Sequence, residues 1–257
     1  MKRLFYFITL SIPVFALWCC KSSTTKEKAI SLHSNAINSV TGNIAVLELF
    51  TSQGCSSCPP ADELLGTYTS KTNVIPLSFH VDYWNRGGWR DPFSSNEYSR
   101  RQYMYASTLK SGIYTPQLII NGQTEMIGSE AGKIASTLHK IFLEQPDATL
   151  IIKNAEPQNG KINIKYDMAG NTQNSLLNIA VIEKKTVTPV KAGENNGATL
   201  TDYNVVRNFK TIDSIGKGEN MASIDIPTSV DVKNMAVVLF LQQKGNHKIT
   251  AAAKTDL

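Results

Sequence analysis

Cysteine is scarce in this chain, with four in 257 residues, two of them the adjacent Cys19 and Cys20. No second Cys-x-x-Cys accompanies Cys55-Ser56-Ser57-Cys58, and no histidine follows Cys58 directly. A zinc site built from two such pairs and a covalent haem attachment are thereby excluded. Long apolar runs are missing too. Leu4 to Leu17 is only fourteen residues, interrupted by Thr9, Ser11 and Pro13, and a bilayer span takes about 20. There is no basic block. The formal charge is +5, and Lys2 and Arg3 carry two of these, which leaves +3 spread thinly. Nucleic-acid binding by charge is not indicated. The six methionines include Met1 and form no cluster. What the chain does have is 42% hydrophobic content, enough for one large or two ordinary domains with cores.

The organising stretch is Leu47-Glu48-Leu49-Phe50-Thr51-Ser52-Gln53-Gly54-Cys55-Ser56-Ser57-Cys58-Pro59-Pro60-Ala61-Asp62. Ile44 to Phe50 reads as a buried strand. Ala61, Leu64, Leu65 and Tyr68 recur at i, i+3, i+4, i+7, one face of a helix. The cysteines therefore sit at a strand-to-helix turn, and helix-start donors and dipole stabilise a thiolate. Cys55 is expected to be the exposed attacking thiol and Cys58 the shielded one that resolves the mixed disulfide. A structural disulfide and half of a zinc site are the other uses of such a pair.

Met1-Lys2-Arg3 followed by the short apolar stretch has the pattern of a secretory signal. Its end, Leu17-Trp18-Cys19-Cys20, resembles a bacterial lipoprotein signal, with Cys20 as the lipidated first residue after a signal peptide of residues 1–19. A plain signal peptide cleaved elsewhere is the alternative. Residues 20–42 are polar and read as a flexible tether, reaching roughly 25 Å.

Val74 to Asp82 alternates, with Ser78, His80 and Asp82 on one face, and predicts a strand parallel to the first. His80 and Asp82 are candidates to handle protons near the thiols, because parallel strands end at the ligand crevice. Asn85–Phe93 reads as a loop. A helix is expected from Ser94 with Glu97 completing a capping box. Two runs flank Asn121-Gly122 as a hairpin, and Ser129 is placed to cap a further helix ending before Pro146. Beyond Ala148, short alternating runs without cysteine predict an all-β sandwich, residues 147–257. Gly193 to Arg207 reads as a long polar loop running into an apolar segment.

The order strand, Cys-x-x-Cys helix, strand, helix, Thr115-Pro116, hairpin, helix resembles the thioredoxin fold. More closely, residues 47–62, His80-Val81-Asp82-Tyr83-Trp84, Trp89-Arg90-Asp91-Pro92-Phe93, Tyr114-Thr115-Pro116-Gln117, Gly193-Glu194-Asn195 and Asn204-Val205-Val206-Arg207 are similar to an exported bacterial thioredoxin-like family of unknown function. The resemblance implies a thioredoxin-like α/β domain at 43–146, a cis peptide at Pro116 facing the cysteines, and a buried acid before them, for which Glu48 is the candidate. The activity it implies is thiol–disulfide exchange with no cofactor beyond the redox-active disulfide. The partners would be protein thiols or disulfides and a redox partner protein. Two other readings use the same residues: a Cu(I)-binding or delivery module with Cys55, Cys58 and His80 as soft ligands, or a redox-inert interaction scaffold.

The N-terminal reading has a direct check. The mature protein is expected to begin at Cys20 and to partition with membranes, and Cys20→Ser should release it or block its processing. Mass spectrometry of the N-terminus decides; a start downstream of Cys20 defeats it.

Overall fold

β1 (Ala45–Thr51) is buried along its whole length. The turn after it enters α1 (Pro59–Thr67), with Pro59 and Pro60 in the first turn, where an amide has no intrahelical acceptor to lose. β2 (Val74–His80) then lies parallel to β1. α2 (Asn96–Leu109) is capped by Ser95, one residue later than expected, whose Oγ accepts from the Glu97 amide. β3 (Gln117–Ile120) and β4 (Thr124–Ile127) form the hairpin around Asn121-Gly122. α3 (Ala131–Leu143) starts after Glu130 rather than Ser129, without a side-chain cap. The remainder is β5 (Ala148–Gln158), β6 (Lys161–Gly170), β7 (Ser175–Pro189), β8 (Thr199–Ile212), β9 (Gly218–Asp225), β10 (Met235–Gln243) and β11 (Ile249–Asp256). These elements belong to a computed structural model that describes Met1, Leu4 and residues 43–213 and 216–257. Cys20 and most of the signal and tether segments lie outside the described residues. Among the described residues no helix is long and apolar enough to cross a membrane.

Eight strands form one mixed sheet in the order β11-β10-β7-β8-β2-β1-β3-β4, and β5-β6-β9 form a second. This corrects the expected α/β thioredoxin-like fold followed by a separate sandwich. Strand makes up 46% and helix 18%, with only three α-helices among the described residues. Strands from both sides of Pro146 share the large sheet. The element that joins them is β8, read from the sequence as loop and apolar tail. Its polar first half, Thr199 to Asn204, hid a strand whose centre, Val205 and Val206, is fully buried.

The join is narrow and specific. β8 pairs along β7, but meets β2 in parallel only at Ser78 and Val205. Pro76 lies just before that point and has no N–H to give a ladder. Asn204 compensates: it adopts φ 47°, a conformation Asn tolerates, and its Nδ2 donates to the Pro76 carbonyl at 2.9 Å. α1 closes on β8 through Gly66, where an added Cβ would stand 2.6 Å from the Tyr203 ring.

Alternation along the strands separates three cores. Val46 and Phe50 of β1, Leu77 and Phe79 of β2, and Val238 and Phe240 of β10 pack with Tyr98 and Tyr105 of α2. The opposite face of β1 carries Ala45, Leu47 and Leu49 against Leu65 of α1 and Ile134 and Leu138 of α3. The opposite face of β7 and β10, with Ile179, Val181, Val237 and Leu239, packs on Ile162 and Ile164 of the small sheet.

Glu48 shares the parity of Val46 and Phe50 and so faces α2. Its Oε1 receives Arg101 Nε at 2.6 Å, and the Tyr105 hydroxyl donates to Oε2. Arg101 also donates to Gln242 of β10 at 3.2 Å, and its guanidinium lies 4.8 to 5.7 Å from the rings of Phe79, Tyr105, Phe209 and Phe240. Breaking a buried ion pair strands a charge without a partner. Arg101→Leu is therefore expected to destabilise the protein by about 3–5 kcal/mol in urea unfolding, and Glu48→Gln with Arg101→Leu by clearly less. Equal losses for the single and double variants would show that the pair is not coupled.

Candidate functional site

The site forms where β1 and β2 end. Cys55 and Cys58 are joined by a disulfide, with Cys58 as the N-cap residue of α1. The Cys55 amide donates back to the Ser52 carbonyl at 3.1 Å, and the Ala61 and Asp62 amides both donate to the Cys58 carbonyl. This tight turn leaves Ser56 and Ser57 exposed while Cys55 is 1% and Cys58 0% exposed. The expectation of an exposed Cys55 is corrected in this disulfide-bonded state. Three segments surround the pair. Trp84 lies against Gly54 and donates from Nε1 to Thr115 Oγ1 at 2.8 Å. The Thr115–Pro116 peptide is cis, and its Thr115 carbonyl accepts from Ser57 Oγ at 3.4 Å. The turn between β7 and β8 supplies Glu194, which accepts from Ser56, and Asn195, which donates to the carbonyls of Gln53 and Cys55.

Next to the disulfide turn lies a buried cluster of four ionisable side chains, Asp62, His80, Asp91 and Asp202. Thr51 and His80 are register partners on the ends of β1 and β2, so their side chains share a face. Thr51 Oγ1 donates to Asp62 of α1 at 3.0 Å. His80 Nδ1 meets Asp91 Oδ2 at 2.7 Å, and Nε2 stands 3.9 Å from Asp202 Oδ1 on β8. Asp91 also accepts the amides of Gln53 at 2.8 Å and Phe93 at 2.9 Å. Gln53 Nε2 reaches Asp202 at 2.8 Å, and Gln53 Oε1 accepts from Trp89 Nε1 at 3.3 Å.

These contacts set the protonation states. Burial alone would lower the pKa of His80, but the charge and hydrogen bond of Asp91, with Asp202 and Asp62 behind, push it up to about 9. Burial tends to raise Asp91, yet the charge and hydrogen bond of His80 and the Gln53 and Phe93 amides hold it below the ordinary carboxylate range. Asp62 goes the other way. Burial first, then the Asp202 charge, raise it well above that range, against His80 and Thr51. Asp202 is raised as well, chiefly by burial. Near neutrality the cluster thus holds a His80–Asp91 ion pair beside two carboxyls whose pKa is raised. Asp62 Oδ1 and His80 Nε2 have no hydrogen-bond partner.

A model of a protein family, described as "Protein of unknown function (DUF1223)", matches residues 46–242. The chain belongs to the DUF1223 family. A crystal structure of a protein from Agrobacterium tumefaciens is similar at 28% identity, with a TM-score of 0.67, over 84% of this chain and 96% of that one. A domain of the outer membrane lipoprotein Omp28 from Porphyromonas gingivalis matches weakly, at 11% identity over 43% of this chain and 95% of that one, with a TM-score of 0.27. No functionally curated protein matches.

In this DUF1223 protein, Cys55, Cys58, His80 and Pro116 lie at or beside one site, and Glu48 does not join them. Glu48 is the buried acid that the resemblance places before the cysteines, but strand parity turns it toward α2, where Arg101 pairs with it. The acid on the cysteine side is Asp62, four residues after Cys58 and so one helical turn on. Asp82 also departs from expectation. It accepts from Ser99 Oγ at 2.5 Å and Asn96 Nδ2 at 3.3 Å, and serves the start of α2. Asp91, Asp202, Glu194 and Asn195 were missed as site residues, although each falls within or beside a stretch similar to the family. As for soft-metal ligation, both nitrogens of the His80 ring face carboxylates, and among the described residues no three or more His, Cys, Asp or Glu side chains are placed to hold a metal ion together.

The raised His80 pKa has a signed consequence. A base bound more tightly to its proton in the fold contributes stability that is full below its ordinary 6.5 and is lost as pH rises through about 9. The stability advantage of wild type over His80→Gln is expected to shrink by about 1–3 kcal/mol between about pH 6 and about pH 10. Chemical denaturation at stepped pH tests it; parallel curves would mean that His80 is neutral in the fold.

Proposed function

We propose that this DUF1223 protein is an exported thiol–disulfide oxidoreductase working through Cys55 and Cys58, anchored at the cell envelope by lipid on Cys20. The observation that carries the reading is a disulfide closed at the start of α1 with a buried, proton-retaining carboxyl, Asp62, one turn further along the helix. The likeness of the cysteine motif to thioredoxin-like proteins supports the same chemistry.

From the oxidised state the steps are as follows. A substrate thiolate attacks Cys55 Sγ. The Cys55–Cys58 bond breaks, its electron pair leaves on Cys58 Sγ, and a mixed disulfide links substrate to Cys55. Cys58 takes up a proton, which Asp62 supplies, and the Asp62 carboxylate so formed is stabilised by the His80 cation. The second substrate thiol, after losing its proton, attacks the substrate sulfur of the mixed disulfide, and Cys55 leaves as a thiolate. The substrate gives up two electrons to the pair and two protons to the medium, one of which restores Asp62; Cys58 keeps the proton from Asp62 and Cys55 is left as a thiolate. Run backwards, the same steps reduce a substrate disulfide, with Asp62 as general base toward Cys58.

The burial of both sulfurs favours a second reading, a structural disulfide in a redox-inert interaction protein. That reading predicts a bond that dithiothreitol does not open in the folded state.

Three variants decide between them. Cys58→Ser is expected to trap mixed disulfides on Cys55 in the exported protein, and Cys55→Ser to trap almost none. Asp62→Asn should slow exchange roughly 10²-fold at neutral pH, the low end for a lost general acid–base, while leaving the thermal midpoint near or above that of wild type. Non-reducing electrophoresis with mass spectrometry, and stopped exchange by alkylation, supply the readouts. No trapping by Cys58→Ser, together with wild-type exchange by Asp62→Asn, would remove the oxidoreductase reading.

A further inference from the structure

Deepening the reading of Cys55–Cys58 as an exchange centre, we infer that the Glu194–Asn195 turn is a redox-sensitive latch. It is shut over the disulfide in the oxidised protein and released when reduction makes Cys55 a thiolate. The turn joins β7 to β8 and is closed on itself by paired bonds between Val190 and its far side, Gly197 and Ala198. Its tip binds the cysteine motif. Ser56, between the two cysteines, donates its amide at 3.0 Å and its hydroxyl at 2.7 Å to one carboxylate oxygen of Glu194. Asn195 Nδ2 donates to the Gln53 and Cys55 carbonyls, each at 2.9 Å. Gly193 seats the tip on Trp89: its φ is 76°, and an added Cβ would stand 3.2 Å from the Trp89 Cβ.

Two features make this a latch rather than a fixed wall. The hold on the motif runs through two side chains at a turn tip, whereas the Trp84 and Thr115 walls are backed by buried strands and helix α2. The hold is also sensitive to charge. Glu194 is exposed, and its hydrogen bonds from Ser56 lower its pKa below the ordinary carboxylate value and keep it ionised at neutral pH. In the disulfide state it faces neutral sulfur. Reduction by a dithiol delivers two electrons and two protons to the pair while the dithiol closes its own disulfide. Loss of a proton from Cys55 then sets a thiolate beside the amide that Glu194 occupies, and like charges repel. The latch therefore slows access to the resting disulfide and opens the site once Cys55 becomes the nucleophile.

The test uses the full chain, oxidised, with dithiothreitol as the probe. Glu194→Ala and Asn195→Ala are each expected to speed reduction at least about tenfold, since each removes two hydrogen bonds, one set charge-assisted. Asn195→Ala carries no charge change and, because its bonds are made only with the latch shut, should also shift the equilibrium with glutathione toward the reduced pair by about tenfold. Hydrogen exchange gives an independent measure in wild type: the Ser56 amide should exchange at least about tenfold faster in the reduced than in the oxidised protein. Wild-type reduction rates in both variants, or equal Ser56 protection in the two redox states, would overturn the latch. Acceleration with no trapping by Cys58→Ser and wild-type exchange by Asp62→Asn leaves the latch standing and removes the oxidoreductase reading. Trapping without acceleration removes the latch alone.

Discussion

One buried ion pair, His80 with Asp91, holds the site in register. Asp91 comes from a loop, His80 from the end of β2, and the Gln53 amide from the turn before Cys55, and all three converge on one carboxylate. From the other side of the ring Asp202 brings in β8, and Gln53 closes the circuit. A charged imidazole out of water requires such company, because its desolvation is unfavourable without nearby carboxylates. The cysteine turn is consequently fixed by electrostatics as well as by the sheet beneath it.

The same pair explains why the pKa values of the neighbouring acids are raised. His80 can fully balance only one carboxylate, and Asp91, at hydrogen-bond distance, takes that place. Asp62 and Asp202 are left buried with part of the cation's field, and burial then dominates their titration. The raised pKa values of Asp62 and Asp202 are thus a by-product of packing three aspartates around one histidine. On the far side of β1, Glu48 and Arg101 solve the analogous problem one to one, so that face holds a closed structural network.

β8 makes the two arrangements interdependent. Its junction with β2 is a single ladder pair plus the Asn204 side chain, yet through it pass Asp202 to the histidine and, at its leading end, Glu194 and Asn195 to the cysteines. Long-range pairing of this kind leaves little local trace. Thr199 to Asn204 shows no apolar alternation, since Leu200 shares its face with the buried Asp202 and Asn204, which meet a charged site and a backbone carbonyl instead of an apolar core.

By itself the sequence determined the local elements: β1, the proline-started α1, β2, the Asn121-Gly122 hairpin, and most later strands. Each is set by short-range periodicity, turn chemistry or capping, and the starts of α2 and α3 each moved by one residue. It also placed both cysteines at a helix start and His80 at a strand end. The tertiary structure decided the rest. Glu48 was legible as a buried acid, but which face of β1 it occupies depends on what packs there, and a period of two carries no such label. Asp62 stood in view one turn past Cys58, and only the approach of Asp202 and His80 across the sheet made it a proton-holding group. The cover over Cys55 comes from residues about 140 positions away in the chain. No local pattern encodes such a contact, because it exists only after β8 has joined β2.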